Sequence, residues 1–376
     1  MRVTFVSNFI NHHQIPFSNA LYERLSDRYC FIETEPMEEE RKNMGWEESN
    51  LKYVHRLYEE EELCTDLIQN SDVVLAGWAP RGEKIIEERL LQGKVTFRIS
   101  ERIYREGRWK AVSPKGLISK YKEHVRFRNS SAYLLCSGAY VAGDFNLLGA
   151  YPNKKYKFGY FPPLRTYEEG ELWSKKPDRI QIVFAGRFIP LKHAEYLLYL
   201  ARDLKELKKD FHIHMIGSGE LSDDLKRQTK EFRIEEFVSF YGFMEPEKVR
   251  DIMEQCHIHI FPSNHLEGWG AVVNEAMNSG CVPIGSLSAG AVPYLIEHGV
   301  NGLIYPKDNY DLLKAQVLYL FENPDKREQM AHCAYETIVT LWNAEYAAEQ
   351  LLRMMEEALL GKNPTPSKEG PLSIAE

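Results

Sequence analysis

Two carboxylates eight positions apart, Glu267 and Glu275, lie in the segment Glu267-Gly268-Trp269-Gly270-Ala271-Val272-Val273-Asn274-Glu275-Ala276. A helix beginning near Gly270 would point its first free N–H groups at the loop carrying Glu267, and the glycines at 268 and 270 would let a ligand approach the backbone closely. The opening turn can hold a phosphate, Glu267 can accept hydrogen bonds from sugar hydroxyls, and Glu275, one or two turns in, can accept from a ribose. Taken alone, the pair reads more simply as a solvated loop glutamate and a helix glutamate favoured by the dipole. A second cluster shifts the balance. The apolar run Gln181-Ile182-Val183-Phe184-Ala185 leads into Gly186-Arg187-Phe188-Ile189-Pro190-Leu191-Lys192-His193. This puts two cations just past the carboxyl end of a strand, where open parallel sheets bind ligands. Arg187 can grip phosphate oxygens in a fork and Lys192 adds a point charge. Each cation alone is an ordinary surface residue, but the coincidence of the two clusters favours a site.

The elements that must position these residues are short β-rich runs separated by segments of helical period. They are 3–7, 73–76, 95–99 and 132–136, then 181–185, 212–216, 238–241, 258–261 and 282–285. Continuously apolar strands joined by crossover helices indicate α/β architecture with parallel sheets. The rhythm breaks only between Phe161 and Pro177, a polar, proline-punctuated stretch. The reading is therefore a first domain over 1–163, a linker over 164–177 and a second domain over 178–340. Ala344, Ala347, Ala348, Leu351, Leu352, Met355 and Leu359 share one helical face. A helix over 341–360 is thus expected to pack back on the first domain. The aperiodic segment 361–376 is expected to be disordered.

At 376 residues the chain can form two domains of about 150 residues each. Hydrophobic residues at 44% and charged residues at 27% exclude collagen-like and largely disordered classes. With 47 basic against 55 acidic side chains the net charge is −8, so a polyanion could be met only by a local basic patch, and nucleic acid is a poor partner. The six cysteines, at 30, 64, 136, 256, 281 and 333, form neither C-x-x-C pairs nor clusters, which speaks against zinc and a disulfide framework. No apolar run suits a signal peptide or a membrane span, and the expected location is the cytoplasm.

With these residues in view the chain resembles the retaining glycosyltransferases of family 4, which have the two-domain GT-B fold. The matching signals are the Gly186-Arg187 and Lys192 segment, Ile216-Gly217-Ser218-Gly219-Glu220, Val238-Ser239-Phe240-Tyr241-Gly242-Phe243, and the E-x7-E pair. Pro283-Ile284-Gly285 and Gly299-Val300-Asn301-Gly302-Leu303 follow in the family's order. The resemblance covers about residues 179–306 and is weak in the first half. It implies two Rossmann-like parallel-sheet domains facing each other across a cleft, and a nucleotide-diphospho-sugar donor held mainly by the second. Arg187 and Lys192 would bind the diphosphate, Glu267 the donor sugar and Glu275 the ribose. The donor-binding set would also include Gly186, Gly217, Gly219, Gly268, Trp269, Gly270 and Ala271, with the backbone of Gly242, Phe243 and Met244 at the base. Transfer would retain configuration, and the implied setting is bacterial surface polysaccharide or glycoconjugate synthesis. No cofactor or metal is expected, and the chain has no Asp-x-Asp. Three departures stand out: Gly290-Ala291-Val292-Pro293-Tyr294 for the usual Gly-Gly-x-Pro-Glu, Lys192-His193 for Lys-Gly, and Trp269 for Phe.

In the first half, Asn8-Phe9-Ile10-Asn11-His12-His13-Gln14-Ile15-Pro16 follows the first strand where the family often carries a glycine-rich loop. Asn11, His12 and His13 could meet acceptor hydroxyls or donor phosphate, or be ordinary loop residues. Ser100 or Glu101 occupies the place of an acceptor-facing histidine. Between 101 and 128 the cations Arg102, Arg105, Arg108, Lys110, Lys115, Lys120, Lys122, Arg126 and Arg128 outnumber Glu101, Glu106 and Glu123. Leu117, Ile118, Tyr121 and Val125 form a stripe beside them. The stripe suits either a core-facing helix with a solvated basic face or, over 115–128, peripheral contact with an anionic membrane carrying a lipid-linked sugar acceptor. Among rivals, a nicotinamide dehydrogenase lacks the third glycine of G-x-G-x-x-G, since Ser222 stands there. A nucleotide-sugar epimerase of similar architecture and a non-catalytic nucleotide-sugar-binding module remain alternatives.

Overall fold

In the computed structural model, which describes residues 1–37 and 50–376, the strands form two all-parallel sheets in two units. The first unit is Met1–Pro163 with Trp342–Glu376, and the second is Leu164–Leu341. The first sheet contains β1 (Val3–Ser7), β2 (Tyr29–Glu33), β3 (Val54–Arg56), β4 (Val73–Ala76), β5 (Thr96–Ser100), β6 (Ala132–Ser137) and β7 (Lys155–Phe158), in the order β3-β2-β1-β4-β5-β6-β7. The second contains β8 (Ile180–Ala185), β9 (Phe211–Ile216), β10 (Val238–Gly242), β11 (Ile258–Phe261), β12 (Val282–Ser286) and β13 (Leu303–Tyr305), in the order β10-β9-β8-β11-β12-β13. Strand order reverses between β1 and β4 in one sheet and between β8 and β11 in the other, so loops leaving these strands at their carboxyl ends diverge and leave a crevice.

All nine strands expected from apolar runs are present, and four more join them. β2 follows the helix Ile15–Leu25 after one 3-10 turn and is buried throughout, while β3 and β13 are three-residue edge strands. β7 alternates lysine with aromatic residues. Its Lys155 is buried and donates to the carbonyls of Ala150 (3.4 Å) and Tyr151 (2.9 Å), which hides its strand character from a reading by apolarity. In the second unit Ile182, Phe184, Ile213, Met215, Ile258, Ile260, Val282 and Ile284 turn to one face of the sheet and bury there with Leu197, Leu200, Leu204 and Leu313. Val183, Ala185 and Ile216 face the other side, against Met253, Ala276 and Cys281. Burial on both faces explains the unbroken apolar runs.

Two expectations need correction. The segment 164–177 is fastened along the second unit. Arg165 pairs with Glu247, Asp251 and Glu254, its N–H donates to Asn278 Oδ1 at 2.8 Å, and Lys175 reaches Glu254 at 2.8 Å. Glu254 is nearly buried, and a carboxylate there needs the surrounding cations to offset its lost hydration. The tail 361–376 is ordered as well. Leu372 N–H donates to Lys157 O (2.7 Å), Lys157 N–H to Ser373 O (2.8 Å) and Ala375 N–H to Lys155 O (3.1 Å), so the tail runs antiparallel along β7 with Leu372 fully buried. Composition predicted disorder because the segment has no period, but an uncovered sheet edge supplies the backbone partners that a periodic face would otherwise replace. The helix Ala344–Leu359 packs against Ile15–Leu25, burying Ala347, Ala348, Leu351, Met354, Met355 and Ala358.

Candidate functional site

Because β8 and β11 are neighbours at the reversal of strand order, the loop after Ala185 and the loop after Phe261 share one crevice wall. The first loop is locked to β9 by its own backbone. Gly186 N–H donates to Ile216 O at 2.9 Å, Phe188 N–H to Ser218 O at 2.9 Å, and Leu221 N–H to Phe188 O at 3.0 Å. This crossing requires glycine at 217, where φ is +132° and a Cβ would lie 1.9 Å from the carbonyl oxygen of Gly186. Gly219 faces the carbonyl of Phe188, and its N–H donates to Ser222 Oγ at 3.0 Å. Ser222 thus has a local turn role in place of a third glycine. Gly242 closes the row by accepting from Gly217 N–H at 2.8 Å. Phe243 is exposed beside it, and Met244 packs partly into the core formed with Val183 and Ile216.

Lys192 is on a 3-10 turn, Pro190–Lys192, and its Nζ forms an ion pair with Glu267 Oε2. The two side chains are only 13% and 15% exposed, so the pair is held out of bulk water, where Coulomb attraction is stronger. Lys192 also lies over the Phe261 ring at 5.7 Å. His193, which ends the turn, has φ +48° and ψ 43°. The left-handed region explains why a Lys-Gly sequence suits this position. Its Nδ1 lies 3.0 Å from Glu195 Oε1, and this bond raises its pKa. Asn264 sets the opposite loop: its N–H donates to Leu191 O (2.9 Å), and its Oδ1 accepts from Leu266 N–H (2.9 Å). Arg187 is exposed, and among the described residues no ion pair reaches its guanidinium.

Gly268 is half-buried. Gly270 has φ +101°, and a Cβ there would overlap Phe261 at 2.2 Å, so the loop can turn beneath that ring only with glycine. The helix starts at Val272, with Ala271 before it, and Val273 N–H is already committed to Gly270 O at 3.0 Å. The start expected near Gly270 therefore moves two residues on. Trp269, grouped with the donor-binding residues from sequence, turns its side chain inward. The indole is 1% exposed and its Nε1 donates to Asn274 Oδ1 at 3.0 Å, so only its backbone can face a ligand. Glu275 is partly buried in the same helix, and no hydrogen bond or ion pair reaches its carboxylate among the described residues. Burial pushes its pKa up to about 7 against the attraction of Arg250. A hydroxyl donating to it would stabilise the ionised form.

One neighbour was invisible as a site residue in sequence. His259, inside β11, is fully buried, and neither ring nitrogen has a hydrogen-bond partner among the described residues. Burial and the charge of Lys192 push it down to about 3, so it is neutral beneath the ion pair. Its only sequence signal is a histidine interrupting Ile-x-Ile-Phe.

In the first unit the loop after β1 lies at the other reversal of strand order. Asn11 is spent on its own turn: Oδ1 accepts from His13 N–H (3.0 Å) and Nδ2 donates to Gln14 Oε1 (3.0 Å). The rings of His12 and His13 are 3.7 Å apart, and His13 stacks on Tyr160, whose hydroxyl donates to Glu101 Oε1 at 2.7 Å. Among the described residues no three His, Cys, Asp or Glu side chains converge as a metal site would need.

Residues 169–337 match the family model for glycosyl transferases group 1. An amylovoran biosynthesis glycosyltransferase, AmsK of Erwinia amylovora, is 26% identical over 182 residues, covering 47% of this chain and 44% of its own. The alpha-D-kanosaminyltransferase of Streptomyces kanamyceticus is 26% identical over 48% of this chain and 46% of its own. The chain thus spans a little under half the length of these relatives. A putative colanic acid biosynthesis glycosyltransferase, WcaL of Salmonella typhimurium, is 22% identical over 78% of this chain and 73% of its own. Among solved structures, Anabaena HepE in complex with UDP and glucose has a TM-score of 0.69 at 14% identity, covering 95% of this chain and 99% of that one. The lipopolysaccharide outer core galactosyltransferase WaaB has a TM-score of 0.66 at 13% identity, covering 96% and 99%. The chain accordingly has the GT-B kind of fold, two parallel-sheet Rossmann-like units of seven and six strands, and its second unit carries a glycosyl transferases group 1 domain.

Proposed function

We propose that the protein is a retaining glycosyltransferase of family 4 that moves a sugar from a nucleotide-diphospho-sugar to a hydroxyl of a carbohydrate or lipid-linked carbohydrate acceptor, in surface polysaccharide or glycoconjugate synthesis. The observation that carries this reading is the little-exposed Lys192–Glu267 ion pair on the loops of the two strands that flank the sheet's reversal, with Arg187 on the first of these loops and Glu275 on the helix that follows the second. Arg187 and Lys192 would bind the diphosphate, Glu267 the sugar hydroxyls and Glu275 the ribose, with the backbone of Gly242, Phe243 and Met244 at the base. HepE, which shares the fold, is solved with UDP and with UDP-glucose, which supports a uridine nucleotide as the first donor to try.

In the proposed reaction the acceptor oxygen forms a bond to the anomeric carbon on the face from which the phosphate departs. The carbon–oxygen bond to the diphosphate breaks, and a phosphate oxygen takes the acceptor proton. Negative charge grows on the diphosphate, where fixed cations stabilise it without reorganising. No protein general base is required by this route, and the two cations take the place of a metal ion.

The test is to incubate the protein with a panel of nucleotide sugars and carbohydrate acceptors in EDTA and to read the product by proton NMR. Transfer that survives the chelator with the donor's anomeric configuration kept is the expected outcome. Loss of transfer restored by Mn²⁺ or Mg²⁺, or an inverted product, contradicts the mechanism, and nucleotide-sugar binding without turnover would make the protein a binding module.

A further inference from the structure

We infer that the segment around the helix Pro114–Glu123 in the first unit is a docking surface for an anionic lipid bilayer. The apolar stripe of this helix does not enter the core: no residue of the helix is buried. Leu117 is 45% exposed, Ile118 60% and Tyr121 57%, and the preceding turn adds Trp109 at 67% and Val112 at 77%. Five large apolar side chains within thirteen residues form a local cluster at the surface, the arrangement that marks an interaction face. The segment is anchored from beneath. His124 and Phe127 are buried, His124 Nδ1 is 3.0 Å from the Tyr151 hydroxyl, and Arg102 is tied to the buried Asp144. The outward face is therefore held in place while remaining open.

Charge selects the partner. At about 100° per residue, Leu117, Tyr121 and Ile118 span an arc of about 100°, with Lys115 and Lys122 on one flank and Lys120 on the other. Lys120 is paired with Glu123 and Arg126 with Glu87, whereas Lys115 and Lys122 have no ion pair among the described residues. The side chains of Arg108 and Lys110 lie outside the described residues. Lysines flanking a narrow apolar arc can extend sideways to headgroups while the arc enters the acyl boundary, and tryptophan and tyrosine favour that boundary. No helix among the described residues is long and apolar enough to cross a membrane, so this contact would lie on the surface.

The inference does not rest on the donor site and can fail while transfer stands. Full-length protein is sedimented with vesicles of phosphatidylcholine alone or mixed with phosphatidylglycerol. Binding is expected only to the mixed vesicles, falling as salt shortens the Debye length from about 30 Å at 0.01 M to about 10 Å at 0.1 M. The double variants Leu117→Asp/Ile118→Asp and Lys115→Glu/Lys122→Glu should each weaken binding at least about tenfold, or 1.4 kcal/mol. Unchanged melting of both variants shows that the fold is kept. Failure to bind mixed vesicles at low salt, or equal binding by both variants, overturns the inference. Concentration-dependent dimers abolished by the aspartates, without vesicle binding, would assign the face to a second copy instead.

Discussion

Lys192→Ala is expected to lower kcat/KM for sugar transfer by about 10²–10³-fold, and Glu267→Ala by a similar factor, the usual cost of removing one preorganised electrostatic group. The two side chains are an ion pair of low exposure, so each single change also leaves the other charge without its partner. The double variant should consequently be little worse than either single one, because groups that act as a unit lose their effect together. Glu267→Gln keeps hydrogen-bonding capacity without the charge and should fall between. Neither side chain belongs to an apolar core cluster, so the chain should still fold, and a melting curve read beside the kinetics separates lost chemistry from lost structure. Near wild-type turnover in either alanine variant would remove the pair from the reaction.

Arg89→Met is expected to destabilise the first unit by about 3–5 kcal/mol, the range for breaking a buried charged network. Arg89 is fully buried in the helix Glu83–Leu91, where burial lowers its pKa to about 10, still charged at neutral pH. Its guanidinium donates to five carbonyls: Ile68 (3.0 Å), Gln69 (3.1 Å), Ser71 (2.8 Å), Asp72 (3.0 Å) and Val95 (3.0 Å). It therefore satisfies the open end of the helix Glu61–Asn70 and ties it to the entrances of β4 and β5. Methionine fills similar space but takes the charged donor away from all five carbonyls, of which Gln69 O keeps Lys94 Nζ (2.6 Å) and Val95 O keeps Val74 N–H (3.3 Å). Urea unfolding followed by circular dichroism measures the cost, with Arg89→Lys expected to be intermediate because an ammonium has only three donors. A change under about 0.5 kcal/mol, the scale of an ordinary surface substitution, would show that the carbonyls find other partners.

The residues of the second unit were legible for a physical reason. Strands buried on both faces are continuous apolar runs, and the charged loop that follows such a run must emerge at its carboxyl end. Gly186, Arg187 and Lys192 accordingly follow the carboxyl end of β8. Side-chain direction was not legible, because one residue of a turn decides it: Trp269 points into the core and Leu117 points out. The neutral, unpartnered state of His259 was hidden because it comes from the strand's depth and from Lys192, which is distant in sequence. Arg89 reads as one more charge on a polar helix until its five carbonyl partners, from 6 to 21 residues away, are brought together. The tail followed the same logic in reverse. Its lack of period reflected docking by backbone hydrogen bonds to β7, which side-chain pattern does not record.

The proposed donor site is tested most directly by thermal melting of the wild type and Lys192→Ala with saturating UDP-, GDP-, ADP- and dTDP-sugars. A ligand at 100 times its dissociation constant stabilises the folded state by about 2.7 kcal/mol. At least one nucleotide sugar should raise the wild-type melting temperature accordingly, and the rise should largely vanish in Lys192→Ala. If none of the panel shifts the wild type, or if the variant shifts equally, the loops after β8 and β11 do not hold a nucleotide-diphospho-sugar through Lys192.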